Sequence, residues 1–285
     1  MPTISETDLI INKDGSVYHL NLKPENIADT IITVGDPSRV FRVSQHFDTI
    51  DFEMNRREFI THSGKYKGKK VTVMSSGMGT DNVEIFMTEL DALANIDFKT
   101  RLPKEKLKKL NLIRIGTSGS LQEDIRLGTH LVSEYGVGLD SLMTFYNLRQ
   151  SGAENVIGDK LRAYLDLPLK PYIVEGSRSL QNKYAQDMYK GNTVTCPGFY
   201  APQGRKIRLD IRNSHLMDDM LSFHHDDFWL TNFDMETAGY YALAKMMGHE
   251  MISLNAIIAN RPRNRFSKDP NKIVDGLIKK VLDRL

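Results

Sequence analysis

Cysteine is almost missing from this chain. Cys196 stands alone among 285 residues, so no disulfide can form within the chain, a usage that fits a reducing compartment. A charge excess is missing too: 38 Lys and Arg face 36 Asp and Glu, leaving a formal net charge of +2. With so little net field there is no electrostatic pull towards nucleic acid or an anionic membrane, and neither is expected as a partner. No apolar run approaches the roughly 20 residues needed to cross a bilayer. The segment from Met1 to Asp14 mixes charges with short apolar pairs and lacks the apolar centre of a secretory signal; a cytoplasmic location is expected. Internal repeats and Ser/Gly linkers are absent, which favours one domain over 1–285. What is present is ordinary for a globular enzyme, with 40% hydrophobic and 26% charged residues.

Short β-branched runs alternate with helical patterns. Ile31–Val34 ends at Gly35, Lys70–Met74 runs into Ser75-Ser76-Gly77-Met78-Gly79, and Leu112–Ile115 into Gly116-Thr117-Ser118-Gly119. His130–Ser133 and Met251–Ala259 are further strand candidates. Val83, Phe86, Met87, Leu90 and Leu93 recur at helical spacing, with Thr80 or Asp81 available as the N-cap. A second helix is predicted from Glu236 to Met247, stopping at Gly248, and a third opens with Asp269 as cap and Pro270 in its first turn. Alternation of this kind predicts α/β layers, with a site at the carboxyl ends of the strands. Lys99–Lys109 reads as a solvated surface insertion.

A phosphate dianion needs uncovered backbone N–H groups and fixed cationic forks, which glycine and arginine supply. Gly35 and Arg39 follow the first strand; Arg114 lies within the strand that leads to Thr117; Arg57 is a third cation. Each glycine can equally serve a turn and each arginine a surface pair. Arg114 is the exception, because a guanidinium inside an apolar strand needs an anion.

Phe199-Tyr200-Ala201-Pro202-Gln203-Gly204-Arg205 places an aromatic face, an amide and a guanidinium within seven residues. Gln203 and Arg205 complement a ring such as uracil, which has two carbonyl acceptors flanking one N–H donor, and Phe199 can stack on it. The same residues read equally well as a polar loop between Pro197 and Pro202. Glu236, after Met235, either sits favourably at a helix start or accepts the two hydroxyls of a ribose. His46, His62, His130, His215 and the His224-His225 pair show no metal-ligand spacing, so no metal site is expected. Ser75 and Ser76 lie in no nucleophile elbow, and Gly77-Met78-Gly79 lacks the third glycine of a dinucleotide fingerprint.

Taken in order, Gly35-Asp36-Pro37-Ser38-Arg39, Ser76-Gly77-Met78-Gly79, Arg114-Ile115-Gly116-Thr117-Ser118-Gly119 and Met235-Glu236-Thr237-Ala238 resemble the nucleoside phosphorylase superfamily, from about His19 to the C-terminus. Phe199-x-x-x-Gln203-Gly204-Arg205 resembles the signature of its uridine branch. The resemblance implies a three-layer α/β fold with a central mixed, twisted sheet flanked by helices. It implies reversible phosphorolysis of uridine to uracil and ribose 1-phosphate, with inorganic phosphate as co-substrate and no other cofactor. Gly35, Arg39, Arg114 and Thr117 would hold phosphate, joined by Arg57 of a neighbouring subunit. Met235 and Glu236 would hold the ribose, with His19 reaching its 5′-hydroxyl from the partner chain. Phe199, Gln203 and Arg205 would read the base, with Arg261 behind and Gly119 beneath; Arg114, Thr117, Gln203 and Arg205 would carry the chemistry. A homo-oligomer, a dimer or a trimer of dimers, follows from the shared sites.

Two departures stand out. Asp234 replaces a glutamate common in bacterial relatives, which leaves its contact with ribose open. Some relatives bind potassium through a glutamate matching Glu58 and a serine, and the serine position here is Asn82, so a structural potassium is left open. Alternatives within the superfamily are a purine or broad-specificity phosphorylase and a nucleosidase. Purine enzymes carry a base-protonating aspartate where this chain has Asn260. A non-catalytic nucleotide-binding or assembly protein is the alternative outside it.

Overall fold

The computed structural model describes residues 3–285. Its central feature is a mixed sheet of eleven strands. Thr30–Val34 runs parallel to Lys69–Ser75 on one side and to Asn111–Ser120 on the other. Alternation along the strands divides the core. Ile31, Leu112 and Met251 pack in one cluster with Phe86, Leu90 and Tyr240, whereas their neighbours Ile32, Ile113 and Ile252 pack in another with Val40, Leu180 and Leu277. Successive strand side chains point to opposite faces. Helices Thr80–Asn95 and Thr237–Met247 therefore cover one face, and Ser38–Ser44, Arg178–Tyr184 and Pro270–Leu282 the other.

Asn111–Ser120 outgrows the predicted Leu112–Ile115 because it changes partners along its length. It pairs in parallel with Glu250–Asn260 and, at its carboxyl end, antiparallel with Asn232–Asp234. Glu250–Asn260 also pairs with His130–Gly138, which leads through Tyr189–Thr195 back to Asn232–Asp234. Five strands thus close into a ring, and Gly116–Ser120 lies where it closes. The pairing of Glu250–Asn260 slips by one residue between Ile257 and Ala259, re-aiming the chain just before Arg261. At the opposite edge, Thr49–Arg56 and Phe59–Tyr66 form a hairpin with Arg57 at its tip, in the left-handed region at φ 55°.

Two expectations change. The helix at Thr80 has no side-chain cap: Gly79 occupies the N-cap position at φ 93°, and Thr80 and Asp81 begin the helix. The stretch Lys99–Lys109 is exposed from Glu105 to Lys109, but its start is an anchor. Ile96–Asp97 pairs with Leu102–Pro103, and Arg101 donates to the carbonyls of Ile4 (2.7 Å), Ser5 (2.6 Å) and Leu9 (2.5 Å), pinning the N-terminal segment. A planar fork with several donors reaches three carbonyls at once, which a count of charges does not reveal.

Candidate active site

The strand ends open into one cleft of about 910 Å³. At one end stand Gly35, Arg39, Arg114 and Thr117, with Met235 and Glu236 beside them; at the other stand Gly119, Phe199, Gln203, Arg205 and Arg261. Residues more than 200 positions apart thus share a single wall.

Arg114 is 3% exposed and sits on the sheet face shared with Thr33 and Ser253, its register neighbours. Its Nη2 donates to Glu236 Oε2 at 2.5 Å, and its Nη1 lies 3.2 Å from Asp234 Oδ2. Burial works against the charge, but Asp234 and then Glu236 outweigh it and hold the pKa above the ordinary arginine value. Gly116 is required here because a Cβ at that position would come within 2.1 Å of Arg114 Nη1. Arg39 is less occupied: Nη1 donates to the Ile115 carbonyl at 3.0 Å, and Nε is buried without a partner among the described residues. Burial first, and repulsion from Arg114 second, bring its pKa down to about 10, so it remains cationic at neutral pH.

Glu236 is 5% exposed, and its Oε1 accepts from the Gly79 N–H at 2.9 Å. The uncapped helix start therefore serves the site, with a free N–H and the positive end of the helix dipole meeting the carboxylate. Burial raises the Glu236 carboxyl pKa, opposed by Arg114. Asp234 has a different task. Oδ1 accepts from Thr195 Oγ1 at 2.9 Å, and Oδ2 from Thr237 Oγ1 at 2.5 Å and the Thr237 N–H at 3.1 Å. With these donors and Arg114 around it, Asp234 is an anchor for Arg114 and for the start of helix Thr237–Met247 rather than a free ribose acceptor.

At the other end, Arg205 donates to Gln203 Oε1 and, at 2.7 Å, to the Phe199 carbonyl. Only an oxygen can accept there, so the carbonyl end of the Gln203 amide faces the guanidinium. Arg205 also lies over the Phe199 ring, 3.9 Å from its centroid, and 5.5 Å from that of Phe233. Burial first, then neighbouring Arg261, lowers its pKa to about 10. Arg261 donates to the Gln203 carbonyl at 3.3 Å. A Cβ on Gly119 would meet Phe233 at 3.2 Å, so glycine keeps the floor of the cleft low. Asn260 lines the cleft, but its Nδ2 donates to Ser120 Oγ (3.1 Å) and to the carbonyls of Gln122 and Ile125 (both 3.0 Å), holding the turn after Asn111–Ser120 in place.

His19 and Arg57 do not line this cleft. They meet each other's neighbourhood elsewhere: the Arg57 guanidinium lies 5.9 Å from the Tyr18 ring centroid, and the Tyr18 and His19 rings meet edge to face at 4.8 Å. Glu58 and Asn82 are in the cleft, with Asn82 Nδ2 donating to the Met78 carbonyl at 3.1 Å. Sequence reasoning missed Asp234 as anchor, the Gly79 N–H and the space kept by Gly116. The polar Ser253 and Asn255 inside the apolar Met251–Ala259 run were the available signal, since buried polar groups in a strand need partners.

A family model described as "Phosphorylase superfamily" matches residues 29–275. A uridine phosphorylase of Thermococcus kodakarensis is 29% identical over 263 residues, covering 91% of this chain and 83% of the relative. A DeoD-type 2 purine nucleoside phosphorylase of Vibrio cholerae is 25% identical over 268 residues, 93% of this chain and 96% of the relative. Among solved structures, a Trypanosoma brucei nucleoside phosphorylase described as showing uridine phosphorylase activity superposes with a TM-score of 0.86 at 27% identity, over 98% of this chain and 99% of that one.

Proposed function

Because the chain belongs to the phosphorylase superfamily, we propose that it catalyses the reversible phosphorolysis of uridine to uracil and ribose 1-phosphate. The relatives include both uridine and purine enzymes, so the base end of the cleft has to decide. The observation that carries the reading is the Gln203–Arg205 pair, with the guanidinium stacked on Phe199 and bonded to the amide carbonyl. A carbonyl acceptor beside a cationic donor matches the N–H and the neighbouring carbonyl of uracil. Asn260, with its amide engaged in the scaffold, has no proton to offer a purine nitrogen.

In this reading Gly35, Arg39, Arg114 and Thr117 cradle phosphate, and Glu236 with Met235 orients the ribose. A phosphate oxygen forms a bond to C1′ as the bond from C1′ to the uracil nitrogen breaks, with inversion. The electron pair leaves with the base, where Arg205 and Gln203 stabilise the charge spreading onto the carbonyl oxygens. Solvent protonates the released base. Holding phosphate and C1′ aligned supplies much of the remaining rate. His19 and Arg57, both beside Tyr18 and outside the cleft lining, suit donation to a second copy of the chain, making a homo-oligomer with shared sites.

The test is release of free base from uridine, cytidine and inosine, each with and without inorganic phosphate. Phosphate-dependent cleavage led by uridine is expected. Preference for inosine would move the assignment to the purine branch, and phosphate-independent cleavage to a nucleosidase.

A further inference from the structure

Glu89 lies on helix Thr80–Asn95, away from the cleft and only 8% exposed. A buried carboxylate needs donors, and this one draws all of them from one short loop. Oε1 accepts from the His19 N–H at 2.9 Å and faces His19 Nδ1 at 2.7 Å; Oε2 accepts from the His19 N–H at 3.0 Å and the Leu20 N–H at 2.8 Å. The contact with Nδ1 has a chemical consequence. A carboxylate only accepts, so Nδ1 must carry the proton, and Nε2 of the neutral ring is left with a lone pair. Nε2 has no partner among the described residues, and the imidazole is 29% exposed. Tyr18 packs edge-on against that imidazole, with the Arg57 guanidinium 5.9 Å from its ring centroid.

We propose that Glu89 is a positioning residue for the substrate's 5′-hydroxyl: it holds His19 in the tautomer whose Nε2 accepts a hydrogen bond from that hydroxyl in a neighbouring copy's cleft. This rests on the reading of the cleft as a uridine site. It makes the 5′ position a point of selection, because a bare Nε2 rewards a hydroxyl donor and gains nothing from a methyl group.

Steady-state kinetics of Glu89→Gln on uridine and on 5′-deoxyuridine test this, with thermal melting as the check on folding. Glutamine retains one oxygen but turns a donor towards the loop. KM for uridine is expected to rise about tenfold, the effect of one hydrogen bond, with kcat little changed and 5′-deoxyuridine unaffected. His19→Ala should give the same pattern, and the double variant should be no worse than either. Equal losses on both nucleosides, or no loss on either, would overturn the proposal while leaving uridine phosphorolysis intact. Nitrogen-15 NMR of histidine-labelled wild-type protein, above the histidine titration range, judges the tautomer without any variant. Protonated Nδ1 at His19 supports the assignment; protonated Nε2 overturns it. Wild-type protein that cleaves no nucleoside with phosphate would remove the reading of the cleft instead.

Discussion

The two ends of the cleft are built on different principles. At the end proposed to hold phosphate, Arg114, Asp234 and Glu236 are each at most 5% exposed and come from a strand interior, a strand end and a helix start. Arg114 is paired with both carboxylates inside the core. At the end proposed to read the base, Phe199 is 51% exposed and Gln203 3%, and Gln203 and Arg205 come from one short loop, held by contacts within it and by Arg261. The first end is part of what keeps the chain folded; the second, on the proposed reading, is a recognition loop set against that scaffold. Breaking the ion pairs of Arg114 should therefore disturb folding and activity together, whereas changes to the exposed Phe199 should touch substrate binding and leave folding alone.

The largest effect expected is at the reader. Cytosine puts an amino donor where uracil has a carbonyl, facing Arg205, and offers no ring proton to Gln203. A site built for one hydrogen-bond pattern rejects the mismatched one by roughly 10⁴-fold or more. Uridine should exceed cytidine by that order in kcat/KM, and comparable values would remove Gln203 and Arg205 as readers of the base.

Arg114→Ala should break the other end. Arg114 is a proposed phosphate ligand, so its loss should abolish phosphorolysis, and its pairing with the carboxylates of Asp234 and Glu236 adds a cost in folding. Left buried without their cation, they should cost about 3–5 kcal/mol of stability, visible in denaturant melts alongside the loss of activity. A variant as stable as wild type would show that the pair is not held as a buried ion pair.

Arg39→Ala sharpens the contrast between structural and binding cations. Among the described residues its guanidinium makes a single hydrogen bond, to a carbonyl, so melting should change little. A charge-assisted contact worth about 1.5–3 kcal/mol should be lost, raising KM for phosphate by about 10- to 100-fold. Inorganic phosphate should raise the melting temperature of wild type and do so much less in this variant. An equal rise in both would place the phosphate elsewhere.

The smallest effect belongs to Phe199→Ala. An exposed cation–π contact contributes about 0.5–1 kcal/mol, so KM for uridine should rise only a few-fold, with melting unchanged. Loss of stability on the scale of Arg114→Ala would erase the distinction between the two ends.

Much of the fold was legible because its signals are local. The helix over Pro270–Leu282 has its Asp269 cap accepting from the Lys272 N–H at 3.0 Å, and the helix ending at Met247 stops at a left-handed Gly248. The hairpin Thr49–Tyr66 and the strand Tyr189–Thr195 carried no such mark, since their pairing partners decide them. At the site, Gly35, Arg39, Arg114, Thr117, Phe199, Gln203, Arg205, Met235 and Glu236 were picked out by residue type and Gly119 and Arg261 by the family resemblance, and all line one cleft. Asp234 read as a ribose contact in question because a carboxylate's partners cannot be seen along the chain. Lys99–Lys109 read as solvated because the carbonyls that Arg101 binds lie more than 90 positions away.

By itself the sequence determined which chemistries were available: glycine turns after apolar runs, an arginine within a strand, an aromatic–amide–guanidinium loop, and too little net charge for a polyanion partner. Local order carries such information because backbone conformation and side-chain type act over a few residues. Only the tertiary structure decided which charges meet. It closed the strand ring that brings Arg114 to Asp234 and Glu236, aimed an uncapped helix at Glu236, occupied Asn260 in the scaffold and set Glu89 on His19. Those pairings depend on distances below about 3.5 Å between residues far apart in sequence, and a hydrogen bond or ion pair exists only once the fold has set those distances.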